Sequence, residues 1–368
     1  MKRIYDLRLL IYDCRGKLAA ALHEEGSPDR QSTIVNQQST IVNRKSGSAL
    51  VVVLWIIMII ALIVSAFSFE MQLEARIITL QRKRFKADQL ALAGVEMAKA
   101  MLAFKEEKAT TDEKIVYEDP YLNEAVKIAA ALPIVYSEWL GDGEITIKID
   151  YEEGRRNIQK LTPGEWKMLF EQAGIPNTSW DTMLDCLTDW QDENDLHQLN
   201  GAESDDPFYK KRGYECKNAP VDTVEELLLI KNWGKEVLYG TPPDEKTDEP
   251  ITGIANLLTT WGDGGVNPNS AGTNVLNSLK ISESMIDAIL EFRLGPDGEA
   301  GTADDGISQK DFDAMGLGAA GLFTLKPNYV KVKAIGKVGD VQSQISCIFK
   351  LGEKAAVPLF WLEGKTSE

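Results

Sequence analysis

Apolar and polar positions divide this chain into segments of different character. From Ser48 to Phe69 the 22 residues SALVVVLWIIMIIALIVSAFSF carry no charge. As a helix they span ~33 Å at 1.5 Å per residue, enough for a bilayer core of ~30 Å. Arg44 and Lys45 precede the run, so the positive-inside rule predicts a cytoplasmic N-terminus and an exported body. Helical spacing then continues through Leu73, Ile77, Leu80, Leu90, Ala91, Gly94, Met97 and Met101, to about Phe104. Arg82, Lys83 and Arg84 interrupt it and are expected to face solvent or lipid headgroups. Thr110–Pro120 reads as a polar connection.

Beyond it the period changes to two. Ile145, Ile147, Ile149 and Tyr151 alternate with Thr146, Lys148 and Asp150, a half-buried strand over Glu144–Tyr151, with Glu153-Gly154 able to turn it toward Asn157–Leu161. Tyr329–Ile335 and Val341–Leu351 alternate likewise around Gly339-Asp340, a hairpin signal. Residues 162–326 between them read as helices and loops. The pattern predicts an α+β fold: a long N-terminal helix and a small antiparallel sheet, split by a large, mainly α-helical insertion. The expected divisions are 1–47, a spanning helix 48–69, helix and first strands 70–161, the insert 162–326, closing strands 327–351 and a tail 352–368.

Composition narrows the function. Of 368 residues 44% are hydrophobic and 26% charged, which excludes global disorder. Net charge is −16; residues 1–47 hold 8 Lys/Arg and 5 Asp/Glu, leaving 32 against 51, or −19, for the rest. A body so acidic repels nucleic acid and attracts cations or basic partners. Two His and four Cys without CxxC or HExxH spacing argue against an ordinary zinc enzyme. Residues 1–47, with QSTIVN repeated at 31–36 and 38–43, read as a leader or a misassigned start.

Basic residues, then Gly47, then an uncharged helix resemble a type IV prepilin. The resemblance implies that a prepilin peptidase cuts after Gly47 and methylates Ser48. The fifth residue after the cut is Val52, where most such proteins carry Glu. An unpaired carboxylate at membrane depth costs about 2.5–3.5 kcal/mol. A subunit with no neighbour above it needs none. That departure resembles the K-type minor pseudopilins of type II secretion. They imply a pilin-like fold whose insert holds SAM-like or helix-hairpin-helix-like modules, a single-pass place in a bacterial inner membrane, and I-type and J-type minor pseudopilins as partners at the pseudopilus tip. The rivals are a minor pilin of a type IV pilus-like system, a membrane-anchored DNA receptor, and an anchored hydrolase.

The stretch Asp181–Tyr209 holds nine carboxylates and no Lys or Arg. Asp185, Asp189 and Asp192 fall at i, i+4 and i+7, one face of a helix, where like charges repel. Abundant hard oxygens suit Ca²⁺; a solvated acidic loop fits the same spacing. The order D-W-x-D followed by G-A-E also resembles the K family, which implies calcium at Asp189, Asp192, Asn194, Asp195, Glu203 and Asp206. A second acidic loop, Gly295–Gly306, offers Asp297, Asp304 and Asp305 to another ion, or forms a surface turn. No EF-hand register and no catalytic motif occur, so no enzyme is expected.

Residues 265–293 (VNPNSA, VLNSL and AILEFR) look like a helix-hairpin-helix, with a shorter relative at Val221–Asn232. Its hairpin, Leu279–Ser282, lacks glycine and the surroundings are acidic, which argues for packing through Val275, Leu276, Leu279, Ile286, Ile289 and Leu290, and against nucleic acid. Cys14 would leave with the leader. Cys186 and Cys216 bracket the carboxylate loop, and an oxidising periplasm permits a disulfide worth ~3–4 kcal/mol. Cys347 reads as a buried thiol and His197 as a surface residue.

Overall fold

A computed structural model describes residues 47–104, 117–241, 250–302, 304–319, 321–352 and 356–364. The chain divides into two compact units, Met1–Glu70 and Met71–Glu368. The first contains the charge-free run, whose large apolar side chains are exposed throughout. It belongs to helix α1 (Gly47–Ala103), which is long and apolar enough to cross a membrane. Residues 1–46, all of the expected leader but Gly47, lie outside the described residues, as does most of the Thr110–Pro120 connection.

In the second unit, α2 (Pro120–Ala129) is followed by β1 (Ile134–Leu140) and β2 (Gly143–Tyr151). The insert then runs through β3 (Arg156–Asn157), α3 (Pro163–Gln172), α4 (Trp180–Gln191), α5 (Pro207–Arg212), α6 (Lys235–Tyr239), β4 (Leu258–Thr259), α7 (Thr273–Asn277), α8 (Glu283–Arg293) and α9 (Gln309–Ala314). The chain closes with β5 (Tyr329–Val338), β6 (Val341–Leu351) and β7 (Ala356–Gly364). The main sheet is antiparallel, in the order β1-β2-β5-β6-β7.

Alternation fixes its faces. Ile147 pairs with Ala334, and Ala334 with Ile345, so Ile145, Ile147, Ile149, Val332, Ala334, Ile345 and Cys347 share one buried face. That face receives Ala91, Val95, Ala98 and Met101 of α1. Small residues let the two approach closely: a Cβ on Gly336 would lie 2.2 Å from the Ala87 carbonyl oxygen. Lys83, expected to face solvent, forms an ion pair at 2.6 Å with Asp340 in the β5–β6 turn, and Lys86 does so with Asp142 in the β1–β2 turn. Both pairs are exposed and contribute little to stability.

Three local expectations need correction. The partner of β2 on its outer side is β1, upstream, and not Asn157–Leu161. After a 3-10 turn at Glu152–Gly154, Arg156–Asn157 pairs parallel with Leu258–Thr259. The insert claims these residues: buried Arg156 donates to Ser278 O and ion-pairs with Glu165, and Asn157 donates to Gly262 O at 2.6 Å. The expected tail contains a fifth strand, β7, because the apolar run V-P-L-F-W-L pairs with β6. Val221–Asn232 yields only a 3-10 helix at Val224–Leu229.

The insert has its own core, around Trp166, Phe170, Met183, Trp190, Tyr209 and Trp233. Thr162 and Glu165 cap α3 reciprocally, with Pro163 in its first turn. Helices α7 and α8 form a pair, with Val275, Leu276, Leu279, Ile286 and Ile289 buried and Leu290 packed at the edge of the core.

Candidate metal centre

Helix α4 buries Met183, Cys186, Leu187 and Trp190 on one side, and Asp189 goes inward with them. The helix stops at Asp192, whose backbone turns extended, and the chain loops back through Gln198–Glu203. Two carboxylates one turn apart hold that return. Asp185 Oδ2 accepts from the Asn200 backbone N–H and side-chain amide, both at 3.0 Å. Asp189 Oδ1 accepts the Gln198 N–H at 3.0 Å. Gly201 passes so close that a Cβ there would meet Asp189 Oδ2 at 1.9 Å.

Glu203 follows. Its side chain is buried, and neither carboxylate oxygen has a hydrogen-bond partner. Burial pushes its carboxyl above the ordinary range, and the negative charges of Asp189, Asp192 and Asp195 push it further. Asp189 is raised too, first by burial, against the Gln198 N–H that favours its charged form. An ionised buried carboxylate without donors is costly, and here three others add repulsion. Among the described residues Asp189, Asp192, Asp195 and Glu203 form no ion pair with a lysine or arginine, which fits a hard divalent cation taking oxygen ligands. Among the described residues no three His, Cys, Asp or Glu side chains are grouped so that they could hold a metal ion.

The other expected ligands divide. Asn194 is exposed and its side-chain oxygen accepts Leu196 N–H at 2.9 Å, while Asp195 accepts from the Asn218 amide at 3.2 Å. Asp206 stands apart in a different role. It caps α5 by accepting Phe208 N–H at 2.7 Å and pairs with Lys231 at 2.8 Å. Burial alone would raise its carboxyl, but these donors hold it below the ordinary value. The sequence placed Asp185 on the acidic helix face without counting it among the ligands, and Gly201 entered only as part of the G-A-E order. The signal for Asp185 was its position one turn before Asp189.

The second loop supplies its own donors. Asp304 accepts from Thr302 Oγ1 at 2.8 Å and from Asp297 N–H at 3.2 Å, and Asp305 from Gly301 N–H at 2.6 Å. The Thr302 hydrogen bond holds Asp304 below its usual value. Cys186 and Cys216, the expected disulfide pair, are free thiols directed at the Asn200 and Ala202 carbonyls, at 3.7 and 3.5 Å. Gly47 is the first described residue of α1, so the expected cut falls at that end of its described span. His197 lies at the surface, 2.8 Å from Asp205.

Residues 150–240, which take in α3–α6 and the carboxylate loop, match the family model described as Type II secretion system (T2SS), protein K. A chain from the crystal structure of the GspK-GspI-GspJ complex of the enterotoxigenic Escherichia coli type 2 secretion system shares the fold. It is 13% identical, with a TM-score of 0.50, over 80% of this chain and all of that one. No curated protein matches the chain.

Proposed function

We propose that this chain, whose residues 150–240 carry a type II secretion protein K domain, is a minor pseudopilin at the tip of a pseudopilus. The protein K match on a chain that begins its long helix with an exposed, charge-free segment carries the reading. Its work is assembly, without catalysis. Prepilin peptidase removes residues 1–47, and the exposed apolar part of α1 is then covered by sister helices instead of lipid. Val52 leaves the first turns without the carboxylate that a lower subunit would pair with the terminal amine above it. The insert, resting on the sheet of the second unit, blocks further addition. The chain's fold-mate comes from a GspK-GspI-GspJ complex, which supports I-type and J-type pseudopilins as its partners in the inner membrane.

Calcium fits the first acidic loop. Asp189, Asp192, Asp195 and Glu203 would hold it, with the Asn194 amide oxygen beside them; the ion would neutralise their mutual repulsion. Asp185 keeps the loop in place through Asn200. The loop of Asp297, Asp304 and Asp305 is a second candidate. The α7–α8 pair serves as a helix-hairpin-helix-like structural module, with no nucleic acid bound.

Mass spectrometry of the N-terminus of protein recovered from cells tests the reading. A chain beginning at methylated Ser48 is expected; one retaining residues 1–47 overturns it. Val52→Glu should alter filament assembly or subunit order, and unchanged assembly removes the tip assignment.

A further inference from the structure

The main sheet ends in a strand that is open on one side. β6 pairs with one edge of β7, and among the described residues no strand lies on the other. Val357, Leu359, Phe360, Trp361 and Leu362 stay 37–55% exposed along it. Natural sheets protect such edges with lysines, bulges or a covering element. Residues 356–364 contain no Lys or Arg, and Glu363 is their only charge; Pro358 and a bulge opposite Ile348–Phe349 interrupt the strand near its start, so the unprotected stretch is Phe360–Gly364.

A second observation lies beside it. A cleft of about 600 Å³ opens between the insert and the sheet face opposite α1. Ser346 pairs with Leu362 and Ile348 with Phe360, and these side chains form one wall. Trp261 and Tyr239 of the insert lie on the other. The open edge and the cleft are therefore continuous: residues on one face of a strand added to β7 would enter the cleft beside Phe360 and Leu362.

We infer that β7 accepts an extended segment of a partner protein as a sixth strand, a mode in which backbone hydrogen bonds give affinity and alternate side chains give specificity. Apolar side chains face the cleft. Basic ones face the opposite side, where Glu363 lies in register with Ile345. Charge favours such a segment. Glu363 is the strand's one charge and the body beyond residue 47 carries −19, while in the cleft Asp222 is paired with Lys217 and Arg155 with Asp150 and Glu152, which leaves the apolar wall to the apolar side chains. The inference is independent of the calcium and tip readings.

The test uses the full chain in lipid nanodiscs and a labelled short peptide of alternating valine and lysine. Its controls are a peptide with the same residues in two blocks, one of alternating valine and glutamate, and empty nanodiscs. The alternating valine–lysine peptide should bind roughly tenfold more tightly than either control peptide. It should protect amides within 360–364 from exchange and leave those of 134–140, the opposite edge, unchanged. Phe360→Lys with Leu362→Lys should weaken binding roughly tenfold; Leu362→Lys alone, at a more exposed site, should weaken it with the melting temperature retained. Absent binding, equal binding of the block peptide, protection at 134–140, self-association abolished by these substitutions, or Leu362-dependent binding to lipid overturns the inference.

Discussion

The Asn328 backbone N–H donates to a carboxylate oxygen of Glu153 at 2.7 Å, joining residues 175 positions apart. Tyr329 N–H reaches the same carboxylate at 3.1 Å, and Glu153 O accepts Asn267 N–H at 2.7 Å. This is where the chain leaves β2 for the insert and returns to begin β5. One buried acidic residue at the start of the excursion thus satisfies backbone donors at its return and within the insert, which would otherwise be orphaned.

Glu153→Leu should therefore destabilise the protein by about 1–3 kcal/mol for each N–H left without an acceptor. Glu153→Gln, which keeps an acceptor oxygen, should be much milder. Burial holds the Glu153 carboxyl above its ordinary 4.5, so the folded state binds its proton more tightly than the unfolded state. Its favourable contribution is present below the ordinary value and lost as pH rises through the raised one. Denaturant unfolding across pH should show this decline in the wild type and its loss in Glu153→Gln; identical pH profiles would refute it.

The carboxylate loop predicts opposite pH trends with and without metal. Asp189 and Glu203 are both raised, so in chelator stability should fall as pH climbs from the ordinary carboxylate range through their raised values. Calcium binds the ionised forms and should reverse that trend, adding about 2.7 kcal/mol at a concentration 100-fold above its dissociation constant. Glu203→Gln should stabilise the metal-free protein near neutral pH and shrink the calcium effect. Melting temperatures unchanged by chelator would remove calcium from this loop.

The parts legible in sequence were those with one dominant period. Ser48–Phe69 had to be a helix, and the alternation through Ile145–Tyr151 and across Gly339-Asp340 placed three strands. β1 was hidden because its polar Ser137 and Glu138 lie on an exposed edge, where one face need not be apolar. β7 was hidden because its apolar residues do not alternate and only pairing with β6 makes it a strand. At the site, spacing singled out the acidic residues without sorting them. Asp206 precedes Pro207, a helix-start signal that competes with ligation, and the structure uses it so. That Glu203 would be buried without a donor depends on the loop's return beneath α4, which no local pattern encodes.

Helix α1 and the sheet meet where only hydrogen fits. Gly336→Ala would place a Cβ 2.2 Å from Ala87 O and 2.6 Å from Ala91 N, backbone atoms that cannot rotate away. We expect a loss of about 1–3 kcal/mol or more, as for other overpacked sites. Gly272→Ala, where nothing lies within 4 Å and φ is not positive, should cost only the loss of glycine at the α7 N-cap, about 0.5–1 kcal/mol. Thermal unfolding of both variants checks the contrast, and equal melting temperatures would show that the helix is free to lift.

The thiols offer a last check on the insert. Cys186, Cys216 and Cys347 are unbonded, and burial pushes each up to about 11. Because the thiolate is the reactive form, all three should alkylate slowly at pH 8 in the native protein. Unfolding without reductant should then release three reactive thiols from a chain cut after Gly47 as proposed, which would lack Cys14. A count of one would mean that export joins Cys186 to Cys216. That bond would require the carbonyl contacts at Asn200 and Ala202 to open, and so would alter the loop that carries Glu203.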